Sequence, residues 1–208
     1  MSRSGSDIDL ATEVAPEVVL LRGFAATTAE YAAAVDAVAA AAPFRHLQTP
    51  AGRPMSAAMT NCGTLGWHSD AKGYRYERND PLSGRPWPSM PLIFLDLAQR
   101  AAYKVGYRDF LPDACLINRY AGKAKMGAHR DADERDFSQP IVSVTLGASA
   151  TFLWYGPLRS GPAVKIRLEP SDVLVWGRTA RRGYHAVGQA EGAAAGAVRF
   201  NLTFRKAG

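Results

Sequence analysis

Cysteine and histidine are both scarce in this chain of 208 residues, with two of the first and four of the second. Cys62 and Cys115 are too few and too far apart for a disulfide framework or a Cys-x-x-Cys metal site, so they read as buried thiols in a reducing compartment. Long apolar runs are missing too. No stretch approaches the ~20 residues of a membrane span. Residues 1–16 carry Asp7, Asp9 and Glu13 and lack the basic start and apolar run of a signal peptide. The expectation is a flexible tail over 1–16, a cytoplasmic location and no membrane contact. No internal repeat or low-complexity tract occurs beyond the alanines of 32–42 and 193–195.

What is present suits an ordinary globular domain over 17–208, at 47% hydrophobic and 21% charged residues. Twenty-five basic against nineteen acidic side chains give a net charge of +6. That balance admits a polyanionic partner without requiring one. Val18 to Leu21 reads as a strand, and Thr28 to Ala41 as a helix. Thr27 and Glu30 have capping-box spacing, Tyr31, Val35, Val38 and Ala42 recur at helical intervals, and Pro43 stops the run. Residues 53–88 are punctuated by glycine and proline and hold Trp67, Tyr74, Tyr76 and Trp87. Their cations Lys72, Arg75, Arg78 and Arg85 are nearly balanced by Asp70, Glu77 and Asp80, so this is no simple basic patch. A second helix is predicted from Pro91 to Val105, with Leu92, Leu95, Ala98 and Ala102 on one side. From Cys115 the period changes to two. Strands are predicted at 115–121, 128–131, 141–146, 151–155, 164–168, 172–176, 184–187 and 199–205, and eight short strands at this spacing suggest a jelly roll. The fold class is α+β, mainly β.

Chemistry concentrates at His129-Arg130-Asp131. In an extended strand His129 and Asp131 share a face while Arg130 points away. With His185 they make two imidazoles and one carboxylate, the facial set with open positions that non-haem Fe(II) oxygenases use. The tripeptide alone is weak, since His-x-Asp arises by chance roughly 0.2 times in a chain of this composition. His68-Ser69-Asp70 is a second copy, set in the Gly-rich stretch, where rigid ligands are harder to hold. Alternation in the last strand puts Arg199, Asn201, Thr203 and Arg205 on one face and Phe200, Leu202 and Phe204 on the other. Two guanidiniums on a barrel's inner face need anionic partners, and a dicarboxylate would supply one. Asn118 and Tyr120 share a face of the 115–121 strand and suit the same anion. The alternative is that these polar residues line a solvated outer face.

The motifs Ala58-Met-Thr-Asn-Cys-Gly63, Leu65-Gly-Trp67, Pro112-Asp-Ala-Cys-Leu-Ile-Asn-Arg-Tyr120, Ile141-Val-Ser-Val144, Val175-Trp-Gly177 and Arg199-Phe-Asn-Leu-Thr-Phe-Arg205 resemble the AlkB family of Fe(II)- and 2-oxoglutarate-dependent dioxygenases, of the bacterial alkylation-repair type. The resemblance implies a double-stranded β-helix (jelly-roll) core over about 112–208, N-terminal supporting helices and a nucleotide-recognition lid over about 53–88. It implies Fe(II) on His129, Asp131 and His185. It implies 2-oxoglutarate on Asn118, Tyr120, Arg199, Asn201 and Arg205, with Arg205 at the distal carboxylate and Arg199 near the metal-bound end. Substrate contacts fall on Met59, Trp67, Tyr74, Asp133 and Arg159. Trp67 would stack on a damaged base opposite His129, Tyr74 would touch the backbone, and Asp133 would face the exocyclic amine. Lys123, Lys125, Arg181 and Arg182 are candidate phosphate contacts. Arg130 departs from the polar uncharged residue expected there.

The implied activity is oxidative demethylation of 1-methyladenine and 3-methylcytosine, with O2 as co-substrate and formaldehyde, succinate and CO2 as products. Its partner would be alkylated DNA, preferably single-stranded, with double-stranded DNA and RNA as further candidates. A monomer without an obligate protein partner is expected. The rival readings are an oxygenase of the same fold acting on RNA, protein or a small molecule, and a non-catalytic jelly-roll binding module.

Overall fold

The computed structural model describes residues 11–26 and 28–208. The chain begins with a hairpin, β1 (Ala11–Ala15) and β2 (Val18–Leu21), followed by helix α1 (Thr28–Ala41). Next come β3 (Ala58–Gly63), β4 (Gly66–Asp70), β5 (Gly73–Glu77) and helix α2 (Leu92–Lys104). Eight strands complete it: β6 (Ala114–Tyr120), β7 (Met126–His129), β8 (Ile141–Gly147), β9 (Ala150–Gly156), β10 (Val164–Leu168), β11 (Val173–Trp176), β12 (Tyr184–Ala190) and β13 (Arg199–Arg205). A 3-10 turn, Arg178–Arg182, joins β11 to β12.

Two sheets build the jelly roll. The larger has the order β1-β2-β11-β8-β13-β6-β3 and the smaller β10-β9-β12-β7, while β4 and β5 pair only with each other. Both faces of the large sheet are covered, which is why β8 is buried from Ile141 to Leu146. One face meets the helices through Val142, Val144, Leu202 and Phe204, packed with Val35, Phe94 and Leu97. The other faces the small sheet through Leu116, Leu174 and Trp176, packed with Phe152, Trp154 and Ile166. Strand alternation is thus the device that sends Phe200, Leu202 and Phe204 toward the helices and Arg199, Asn201, Thr203 and Arg205 between the sheets.

Three expectations are corrected. Residues 11–15 are not tail but an edge strand, folded onto β2 by a two-residue turn in which Glu17 has φ 59; residues 1–10 lie outside those described. In the stretch 53–88, Ala58–Gly63 is not lid but the edge strand beside β6, and only the β4–β5 hairpin with its flanks stands off the sheets. In α2 the buried face is Phe94, Leu97, Ala98, Ala101 and Ala102. Leu92 is 82% exposed, because Phe94 and Leu97 offer the larger apolar face at i, i+3, i+4 spacing. The capping-box reading at Thr27 falls outside the described residues. Trp87 is a structural residue of the lid: it is buried, donates Nε1–H to the Glu77 carbonyl at 3.0 Å, and carries the Arg45 guanidinium over its ring.

Candidate active site

The neighbouring strands β7 and β12 bring the first two histidines together, since His129 and His185 are direct partners across the ladder. Asp131 follows two residues later on the same side. Each residue offers a ligand atom, and these atoms lie within 4.8 Å of one another. The Nδ1–H groups donate to backbone carbonyls, His129 to Gly127 at 2.9 Å and His185 to Gly183 at 3.1 Å. That fixes both tautomers and leaves each Nε2 lone pair free for a metal. His185 sits in an aromatic box of Phe152, Trp154 and Trp176, with ring centroids at 5.4, 6.3 and 5.2 Å. Burial there, reinforced by His129, pushes its imidazole down to about 3 and keeps it neutral. Burial alone would raise the Asp131 carboxyl, but Arg205, seconded by the two histidines, holds it well below the usual carboxylate range. Two imidazoles and one anion suit a divalent ion with open positions.

The second His-x-Asp does not join them. His68 Nε2 lies 3.4 Å from Asp70, whose two oxygens accept from Arg75 at 2.8 and 2.9 Å. This is an ion pair within the lid hairpin.

A cavity of about 400 Å³ opens between the sheets, and every residue read from the sequence as a metal, co-substrate or substrate contact lines it. The arginines, however, stand in the reverse of the expected order. Arg205 donates Nη2–H to Asp131 Oδ2 at 2.9 Å, at the metal cluster. Arg199 is six residues along β13, roughly 20 Å away in an extended strand, so only one of the two can abut the triad. Strand register decided which, and register is a long-range property. Arg199 is 1% exposed and donates Nη2–H to Thr145 at 3.0 Å; its ring neighbour is Tyr120, 5.2 Å from the guanidinium carbon to the centroid. Its Nε and Nη1 have no partner, and among the described residues no carboxylate pairs with it. A buried guanidinium with two free N–H groups fits a carboxylate seat. Asn201 is committed to the wall, donating to Ser143 at 2.8 Å and accepting from Thr203 at 2.9 Å.

At the cavity mouth the lid residues engage one another. The Trp67 ring stacks on Tyr74 with centroids 5.6 Å apart and planes 14° from parallel, and its Nε1–H donates to Asp133 Oδ2 at 2.8 Å. Arg181, expected as a phosphate contact, is instead 2% exposed and donates to the Gln139 carbonyl at 3.0 Å. Arg182 lies 4.0 Å from the centre of the Phe137 ring.

Sequence reasoning missed the aromatic box and Glu134. The first left a signal, Phe152 and Trp154 at period two. Glu134 left none, sitting in an aperiodic loop beside Asp133, yet it is buried against Tyr76, Arg181 and Arg205.

The family model described as the 2OG-Fe(II) oxygenase superfamily matches residues 17–205. "Alpha-ketoglutarate-dependent dioxygenase AlkB" of Salmonella typhimurium is 47% identical over 198 residues, covering 93% of this chain and 92% of that protein. The protein of the same name from Escherichia coli K12 is 47% identical over 199 residues, covering 94% and 92%. Among solved structures, "The structure of OsALKBH1" matches with a TM-score of 0.76 at 26% identity, covering 94% of this chain and 99% of that one.

Proposed function

The chain belongs to the AlkB family of 2OG-Fe(II) oxygenases, and from that premise we propose that it removes N-methyl groups from 1-methyladenine and 3-methylcytosine in DNA. It is a dioxygenase that uses Fe(II), 2-oxoglutarate and O2. Bound together, these supply oxidation of the N-methyl group, leaving formaldehyde, succinate, CO2 and the repaired base.

In this reading His129, Asp131 and His185 hold the iron, with the aromatic box keeping His185 neutral and dry. Arg199 takes the distal carboxylate of 2-oxoglutarate in a fork of charge-assisted hydrogen bonds. Tyr120 and Asn118 wall that end, and Arg205 orients Asp131 at the other. The observation that carries the reading is the Arg199 guanidinium, buried with two free N–H groups in the same cavity as the His–Asp–His cluster. Trp67 stacks on the flipped base, a contact that contributes roughly 1–3 kcal/mol. Its hydrogen bond to Asp133 yields as the base enters, freeing that carboxylate for the exocyclic amine of a cationic lesion. Met59 lines the base pocket, Tyr74 and Arg159 meet the backbone, and normal bases are disfavoured because they carry no positive charge.

A methylated Watson–Crick edge cannot pair, so extrusion costs least from single strands, and single-stranded DNA is the preferred substrate. Because every site residue comes from one chain, a monomer suffices. Two buried free thiols suit the reducing cytoplasm.

Arg199→Ala tests the assignment. It is expected to raise the KM for 2-oxoglutarate at least tenfold, the loss of one charge-assisted contact, while Mn(II) affinity stays as in the wild type. An unchanged KM would remove Arg199 from the co-substrate site.

A further inference from the structure

Glu134 belongs to none of the motifs and is 6% exposed. Its Oε1 accepts the Tyr76 hydroxyl at 2.7 Å and lies 3.2 Å from Nε of Arg205, and its Oε2 lies 3.2 Å from Nη2 of Arg181. Arg205 in turn donates to the Asp131 carboxylate at 2.9 Å, and Arg181 donates to the Asp131 carbonyl at 3.3 Å. Two guanidiniums and two carboxylates therefore alternate, Arg181–Glu134–Arg205–Asp131, with a formal charge of zero and side chains only 2–11% exposed. Once a divalent ion draws on Asp131, Glu134 is the remaining carboxylate partner of Arg205 among the described residues. Its third contact, Tyr76, is on β5, in the lid.

From this we infer that Glu134 is a positioning residue: it holds Arg205 at the metal end of the co-substrate site and ties the lid hairpin to that same arginine through Tyr76. The inference rests on the dioxygenase reading above and deepens it. A buried carboxylate between two guanidiniums fixes both of them, since neither can neutralise itself by losing a proton. Removing its charge frees Arg205 to turn wholly onto Asp131, where it competes with the metal, and weakens the charge-assisted contact to Tyr76, one of the lid's polar anchors. Removing the Tyr76 hydroxyl cuts that anchor alone.

The experiment uses the full chain loaded with Mn(II), measuring 2-oxoglutarate affinity by calorimetry and amide hydrogen exchange over Gly73–Glu77. Failure of the wild type to bind 2-oxoglutarate would contradict the dioxygenase reading itself. With wild-type binding in hand, Glu134→Gln is expected to weaken 2-oxoglutarate about tenfold and to speed lid exchange. Tyr76→Phe is expected to speed lid exchange equally while changing 2-oxoglutarate affinity less than about twofold. A merely structural buried ion pair would lower the melting temperature and leave both readouts alone, and that result overturns the inference. Should Glu134→Gln not fold, Tyr76→Phe decides: lid exchange at the wild-type rate contradicts the tie, and faster exchange with intact co-substrate binding supports it.

Discussion

Arg130 stands between two side chains of the His–Asp–His cluster and points elsewhere. Its guanidinium lies 5.3 Å from the centre of the Tyr184 ring, on the exposed rim of the cavity, and no carboxylate among the described residues pairs with it. A cation pinned over an aromatic face at the mouth of a nucleic-acid site is poised for a phosphate. Arg130→Gln is therefore expected to lower the salt dependence of binding to a methylated single-stranded oligonucleotide by about 0.7 in the log–log slope, one phosphate's worth. 2-Oxoglutarate affinity should not change. An unaltered slope would mean that Arg130 meets no phosphate. At this scale the sequence was only partly legible. Adjacent spacing placed His129 and Asp131 together and the four polar residues of β13 on one buried face. It was blind to which arginine abuts the triad, because that follows from pairing Arg205 with Ala114 and Arg199 with Tyr120, 91 and 79 residues apart in the chain. It was equally blind to Arg181, one of three arginines in the 3-10 turn, only one of which the fold turns inward.

At the scale of elements, the lid hairpin is tied down by a set of polar contacts. Tyr76 reaches Glu134, Trp67 reaches Asp133, and Arg75 bridges Asp70 and Glu77. His68, on β4 within the hairpin, is buried with an unpartnered Nδ1. Burial first, and then the nearby Arg75, lower its pKa below the ordinary imidazole value, although Asp70 opposes them. The folded hairpin therefore binds fewer protons than the open one, so its stability is complete above about pH 6.5 and declines as the pH falls below that value. Hydrogen exchange over Gly73–Glu77, corrected for the intrinsic rate, should accelerate between pH 7.5 and pH 5.5, and His68→Gln should flatten that dependence. Equal protection at both pH values would deny His68 this role. The hairpin itself was visible in the sequence as glycines and prolines around aromatics. Its start was not, because β3 is an edge strand whose pattern resembles that of the strands after it.

Across the whole molecule, one arrangement explains most of the chain: a large sheet covered by two helices on one side and by a smaller sheet on the other, with the polar cavity in the gap between the sheets. Period-two alternation from Cys115 onward carried that architecture in the sequence. The order of strands within each sheet did not, since it depends on crossovers such as β13 entering between β8 and β6. The cavity gathers the His–Asp–His cluster, an unpaired buried guanidinium and an aromatic lid within one protomer, as an oxidative demethylase requires. The most direct test is formaldehyde release from a single-stranded oligonucleotide carrying 1-methyladenine, with Fe(II), 2-oxoglutarate and O2, run beside His129→Ala. Release by the wild type and none by the variant is the predicted result. Succinate without formaldehyde from the wild type would contradict the assigned substrate, and equal release by the variant would contradict the metal site.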